Sequence, residues 1–433
     1  MLRQALIRHC SLAWPLILAN AATPLLGLAD TAIAGHLSSP AHLAAVVVGA
    51  ELITLIFWSC GFLRMGTTGL IAQASGREDT AEILSILSNA LALAVVLGCL
   101  LVGLWWLIEP TLLELANPDP GIQAQLLDYL RIRIWTAPIV LATYVCSAYF
   151  IGQGMTRVTL ALALGVNIVN LCANYVLAIQ LELEIQGIAF GTVFAECGGL
   201  LVALGLISHR HWRRQIWLQL RLSGAKIRHM LTLNLPLFLR TLMLKAVFVM
   251  LTLYAASLGA TDAAALGLLL ILLSTAAYAL DGFAFASEIE TGQSVGRQES
   301  ERLHNSLWAG AITTGCATVV LIVSYYFGAE ALLSQLTLHA LVAERAISLL
   351  PWLYGILAIL AGSYWLDGVF IGLLRPLAMC ASMFLAGLAW LSGLWIFGTA
   401  HLEQLLAAFI LFGSVRTLSL GLQLPRALGQ SVH

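Results

Sequence analysis

The sequence predicts an all-α integral membrane protein of twelve transmembrane helices, built as two six-helix lobes related by a pseudo-two-fold axis along the membrane normal. Three observations carry this. Of the 433 residues, 60% are hydrophobic and 10% charged, with a mean hydropathy of +0.92, whereas soluble domains carry roughly a quarter charged residues. The apolar residues fall in long uninterrupted runs. Two separated motifs also recur at a single offset.

A helix needs about 20 apolar residues to cross the hydrocarbon core, and backbone polar groups in lipid must be satisfied within the chain, so each long run reads as a helix. The runs are Ser11 to Gly35, His42 to Gln73, Ile83 to Leu107, Tyr129 to Gly152, Val158 to Gln180, Gly187 to Ser208, Leu231 to Ser257, Ala264 to Glu288, Ser306 to Gly328, Ala346 to Leu373, Leu377 to Phe397 and Leu402 to Leu422. Arg3 and Arg8 before the first run resemble a signal peptide. The run continues to spanning length, however, and is read as an uncleaved first span.

Lysine and arginine orient the spans. Arg3, Arg8, Arg77, Arg157, Arg210, Arg213, Arg214, Arg221, Lys226, Arg228, Arg297, Arg302, Arg375 and Arg426 fall on one side if both termini are inside, and Glu109, Glu114, Asp119, Asp128, Glu182, Glu184, Asp262, Glu330 and Glu403 on the other. Both termini are therefore expected in the cytoplasm. Residues 209–230 are the basic cytoplasmic linker between the halves 1–208 and 231–433, facing lipid headgroups. The eight cysteines show no paired spacing, so neither a disulfide framework nor a metal site is expected.

Gln73-Ala-Ser-Gly76-Arg77 after the second span returns as Gln293-Ser-Val-Gly296-Arg297 after the eighth, and Phe150-Ile-Gly152 returns as Phe370-Ile-Gly372, both 220 positions later. An offset of six spans preserves membrane orientation. Parallel repeats of this kind enclose a cleft that opens to either side in turn, which is the architecture of a carrier.

Ionisable groups within spans are costly and point to function or to pairing. Asp30, Glu51, Asn170, Asn174 and Thr192 form one layer in the outer half of the first repeat, and Asn167, Asn170 and Asn174 share one helix face. Glu196 follows Thr192 on its own face. A carboxylate among amides is a titratable site, unless Arg131 or Arg133 pairs with it. In the second repeat Arg240, Asp281, Asp367 and Arg416 lie at one depth, with Lys245 deeper. Two acids and two bases there form either an ion-pair network that fixes packing or a second functional site. Pro15, Pro24 and Pro236 interrupt spans and permit bending.

Four segments carry a resemblance: Pro24-Leu-Leu-Gly-Leu-Ala-Asp30 with Gly35, Thr67-Thr-Gly-Leu-Ile-Ala-Gln73, Ala279-Leu-Asp281-Gly-Phe-Ala and Leu366-Asp367-Gly-Val-Phe-Ile-Gly372. Together they resemble the multidrug and toxic compound extrusion family, in the branch named for the DNA-damage-inducible protein F. The resemblance implies a monomeric multi-pass protein of the bacterial inner membrane. It would export organic, often cationic, small molecules in exchange for protons or sodium, without cofactor or nucleic acid. It also implies that Asp30 is the coupling site, completed by Asn170, Asn174 and Thr192, with sodium at Asp30 if sodium is the coupling ion, and that Pro15 bends the first span. Asn174 stands where archaeal relatives carry an aspartate, which leaves Asp30 as the main carboxylate. Asp367 is similar to a cation-binding acid of another branch. A flippase for lipid-linked saccharides is the alternative, for which Arg64, Arg240, Lys245 and Arg416 leave room. A membrane enzyme is not expected, because the histidines lie at termini, loops and helix ends.

Overall fold

The structure, a computed structural model, describes residues 2–37, 39–116, 119–211 and 222–429. Arg213, Arg214 and Arg221 of the basic linker lie outside them. Among the described residues the helices are α1 Leu2–Ala34, α2 Pro40–Ser59, α3 Phe62–Gly76, α4 Thr80–Ala116, α5 Pro120–Arg133, α6 Ala137–Gly152, α7 Thr156–Asn174, α8 Glu184–His211, α9 Gly224–Leu258, α10 Ala260–Arg297, α11 Ser300–Leu336, α12 Ala340–Ser348, α13 Leu350–Gly372, α14 Pro376–Phe397 and α15 Leu402–Gly429. A 3₁₀ turn, Ile134–Thr136, joins α5 to α6, and a π-helical segment, Tyr175–Gln180, prolongs α7. Eleven helical stretches of the described residues are long and apolar enough to cross a membrane, and α1 adds a further helix of 33 residues. Large apolar side chains such as Val96, Leu107, Phe327, Trp395 and Leu422 stand exposed along these helices, a distribution that suits lipid rather than water.

The second, fourth and tenth runs depart from single spans. Cys60 and Gly61 separate α2 from α3, their amides bonding back to the carbonyls of Phe57 and Trp58 in a tightened turn. The fourth run begins nine residues earlier than its apolar signal, at Pro120 rather than Tyr129. Asp119 caps the new start by accepting from Gly121 N at 2.8 Å, with proline at the first helical position. This extension carries Gln123, Gln125 and Asp128, which hide it from hydropathy. The tenth run splits at Leu349 into a short helix, α12, and the spanning α13, which has Pro351 in its first turn.

Contacts group the chain into two units. Ala21–Ile71 with Asp79–Thr232 forms one, and Met1–Asn20, Ala72–Glu78 and Leu233–His433 form the other. The first has its core around Trp105, Tyr129, Ile134 and Ile188; the second around Leu353, Trp390, Phe409 and Phe412. The border between units crosses α1 after Asn20, between Pro15 and Pro24.

Each copy of the repeat packs alike within its own unit. A Cβ on Gly152 would meet Thr68 O at 2.9 Å and Ile71. At the positions 220 further on, a Cβ on Gly372 would meet Glu288 O at 2.7 Å and Thr291. The turns that follow match too: Met155 N bonds Phe150 O at 2.8 Å, and Arg375 N bonds Phe370 O at 3.0 Å. Within the second unit, Gly76 lies against the backbone of Gln293 and Gly296 against the backbone of Gln73, a reciprocal contact of the two motif copies. Glycine at both sites allows helix backbones to touch.

The start of α1 docks on α10 in that same unit. His9, fully buried, shares a hydrogen bond of 2.7 Å between Nδ1 and Glu290 Oε2, and its ring stacks on Phe283. Arg8 donates to Gln293 Oε1 at 2.7 Å, and Asn20 donates to the Tyr278 carbonyl at 3.3 Å.

Candidate functional site

Four residues predicted to form a site, Asp30, Asn170, Asn174 and Thr192, meet in the first unit. All are buried, Asn170 and Asn174 completely. Asn174 and Asn170 stand one turn apart on α7 and face Thr192 on α8. The Thr192 hydroxyl donates to Ile188 O at 3.0 Å and accepts from Asn170 Nδ2 at 2.9 Å. Asn170 Oδ1 accepts from Asn174 Nδ2 at 3.1 Å, and the same Asn174 amide donates to Asp30 Oδ1 at 2.6 Å. The bonds therefore diverge from the Asn174 amide, one way to the Asp30 carboxylate and the other through Asn170 and Thr192 to the Ile188 carbonyl. Asn174 Oδ1 is buried without a hydrogen-bond partner, and an orphaned buried acceptor is rare enough to require a reason. It lies on a residue bonded to Asp30, where a proton or a hard cation would supply what is missing. Among the described residues no group of three His, Cys, Asp or Glu side chains converges as in a metal cage.

Two features of the backbone hold Asn174 there. The π segment begins at the next residue, Tyr175, and π geometry inside helices is frequent at functional sites. On the facing helix, Gly187 lies against Leu177 and Ala178 of this segment, and a Cβ on Gly191 would run into Asn174 Oδ1 and stand 2.8 Å from the backbone nitrogen of Asn174. Asn167, one turn before Asn170 on the same face, donates to Ala22 O of α1 at 2.8 Å. Glu51, expected at the same depth, is exposed instead and does not join the cluster.

The guanidinium that threatened to neutralise Asp30 is engaged elsewhere. Arg133 forks onto Glu196, with Nη1 to Oε2 and Nη2 to Oε1 both at 2.8 Å, and Nη1 also reaches Thr136 Oγ1 at 3.3 Å. Arg131 bonds Glu109 at 2.6 Å. Asp30 itself takes part in no ion pair among the described residues, although Arg133 and Glu196 lie within its electrostatic reach. Tyr129, one turn before Arg133 and buried, lies within electrostatic reach of all three. Sequence reasoning passed over Tyr129 and Gly191. The four-residue spacing of Tyr129 and Arg133 was the available signal for the first, and nothing local marked the second.

With this geometry in view, known proteins supply the kinship. The MatE family model matches residues 15–176. The DNA damage-inducible protein F of Escherichia coli strain K12 is 34% identical over 94% of this chain and 90% of its own length. The chain belongs to the multidrug and toxic compound extrusion family. A probable multidrug resistance protein NorM from Xylella fastidiosa strain 9a5c is 29% identical over 78% of this chain and 73% of its own. An outward-facing multidrug resistance MATE transporter of the MOP superfamily shares the fold, with a TM-score of 0.87 over 99% of this chain and 96% of that one at 17% identity.

The second polar group of this MATE chain is of another kind. Arg240 of α9 and Arg416 of α15 both donate to Asp367 Oδ2 on α13, and all three residues are buried. Asp281 on α10 lies within electrostatic reach of Arg240 and of the partly buried Tyr364. The sequence placed these four residues at one depth, and the structure shows that Asp367 is the centre, held by two cations. Outside the spans, Arg345 of α12 bonds Asp262 at 2.7 Å and Glu403 at 2.6 Å, and these bonds hold its guanidinium protonated beyond the ordinary arginine range.

Proposed function

We propose that this MATE transporter is an antiporter that exports organic, often cationic, compounds from the cytoplasm in exchange for protons, with Asp30 as the group that carries the coupling ion. The observation behind the reading is the Asp30 carboxylate: buried, held by one amide at 2.6 Å, and in no ion pair among the described residues. A carboxylate so placed changes occupancy with its surroundings, because burial opposes its charge while no partner neutralises it. The orphaned Asn174 Oδ1 would gain a donor when Asp30 is protonated, and it would serve equally as an oxygen ligand for sodium.

In this scheme Asp30 takes its ion from the outer face. The change in charge alters how α1 packs on α7, Pro15 lets α1 bend, and affinity for the exported compound falls; release on the cytoplasmic side resets the carrier. The halves 1–208 and 231–433, joined by 209–230, are the moving bodies. Both termini lie in the cytoplasm, the protein acts as a monomer in the inner membrane, and it performs no chemistry on its cargo. The names of the similar proteins, multidrug resistance among them, support the choice of cargo.

The test is efflux of a fluorescent organic cation from proteoliposomes, with proton and sodium gradients imposed separately. Asp30→Asn is expected to abolish gradient-driven efflux in a protein that still folds. Unchanged efflux would remove Asp30 from the mechanism, and a response to sodium alone would replace the proton.

A further inference from the structure

We propose that Arg133 and Glu196 are positioning residues that set the pH at which Asp30 exchanges its proton, Glu196 holding the guanidinium so that it does not neutralise the Asp30 carboxylate. The inference rests on the Asp30 reading and adds two residues to it.

Arginine and glutamate inside spans are costly, and packing alone requires neither. Here they form a forked pair of two 2.8 Å bonds, and Glu196 stands one turn beyond Thr192 on α8, the residue that the bonds through Asn170 and Asn174 tie to Asp30. The fork is the geometry in which a buried guanidinium is most fully neutralised. One nitrogen is left over. Arg133 Nε is buried and has no hydrogen-bond partner, so the guanidinium is not saturated by Glu196 and Thr136. Arg133 is thus occupied by Glu196 while one of its nitrogens has no hydrogen-bond partner.

The charged and titratable groups around this point are few. Asp30 comes from α1, Tyr129 and Arg133 from α5, and Glu196 and Cys197 from α8. Tyr144 of α6 lies within electrostatic reach of Glu196, Cys60 and Arg64. The face of α7 contributes the neutral amides of Asn170 and Asn174. Within this set the pair Arg133 and Glu196 is close to neutral as a whole, and each member alone would act on Asp30 with opposite sign. A free cation favours the ionised carboxylate; a second free carboxylate opposes it.

This makes Glu196 the second acid of a site whose α7 position is an amide, Asn174. It acts on Asp30 through Arg133 rather than by touching the transported ion. The arrangement also lets Arg133 follow charge: when Asp30 is ionised, two carboxylates compete for one guanidinium, and when it is protonated, Glu196 holds it alone.

The experiment is the pH profile of proton-driven efflux in reconstituted full-length protein, with a fluorescent organic cation as cargo. Glu196→Gln is expected to move the midpoint to lower pH by about 1 unit or more, and Arg133→Gln to move it to higher pH. Glu196→Asp should stay near the parent protein. Midpoints that do not move, or that move in the same direction, in variants whose thermal melts show a folded protein would overturn the proposal. If Glu196→Gln fails to fold, Arg133→Gln decides alone: an alkaline movement supports the inference and an unmoved midpoint ends it. Asp30→Asn measured alongside separates the two levels, since efflux indifferent to Asp30 would remove the site itself and this inference with it.

Discussion

Two buried aspartates in this chain have opposite surroundings, and the difference decides what each can do. Asp30 accepts one amide bond and no ion pair among the described residues; Asp367 receives two guanidinium groups on one oxygen. Removing the charge from Asp367 takes the shared anion from two buried guanidinium groups, and breaking a buried pair in this way costs about 3–5 kcal/mol. Asp367→Asn is therefore expected to lower the thermal midpoint in detergent far more than Asp30→Asn does. Equal melting of the two variants would mean that Asp367 is not a structural centre. The spacing of Asn170 and Asn174 and the depth of Asp30 were legible in the sequence, because one helix face and a rise per residue are local properties. The partner of Arg133 was not. It depends on where α5 begins, and that start lies in a polar stretch from Pro120 onward that carries no hydropathy signal.

At the scale of elements, the site exists because α7 and α8 approach closely at Gly187 and Gly191 and because α7 loosens into π geometry just beyond Asn174. Gly191→Ala would push a methyl group into Asn174, and overpacking of this kind costs about 1–3 kcal/mol. The expected result is a moderate loss of thermal stability with a larger loss of coupled efflux, because the displaced amide is the one that holds Asp30. A variant that melts and transports like the parent would show that Asn174 does not need its present position. Long apolar runs predicted the spanning helices well, since lipid leaves the backbone no alternative. The break at Cys60 and Gly61, the polar start of α5 and the short α12 escaped for one reason: each lies where capping and tight turns, not hydropathy, set the boundary.

For the whole molecule, the repeat was visible as two motifs at one offset, and its meaning is visible only in space. Gly152 and Gly372 rest on equivalent turns of α3 and α10, and the two glutamine motifs meet each other reciprocally through Gly76 and Gly296. The helix that carries Asp30 is anchored at its other end by His9 on Glu290, so α1 belongs to one unit at its start and to the other at its end. On the proposed reading, a change of charge at residue 30 acts on α1 through its bond to Asn174. Linkage makes the claim measurable without a membrane: if a proton and the cargo exclude one another, cargo binding must release the proton. Addition of an organic cation to the purified protein in weak buffer is predicted to release about one proton per cargo bound, and none from Asp30→Asn, as linkage at a single site requires. Binding without proton release, or equal release from both proteins, would contradict the account.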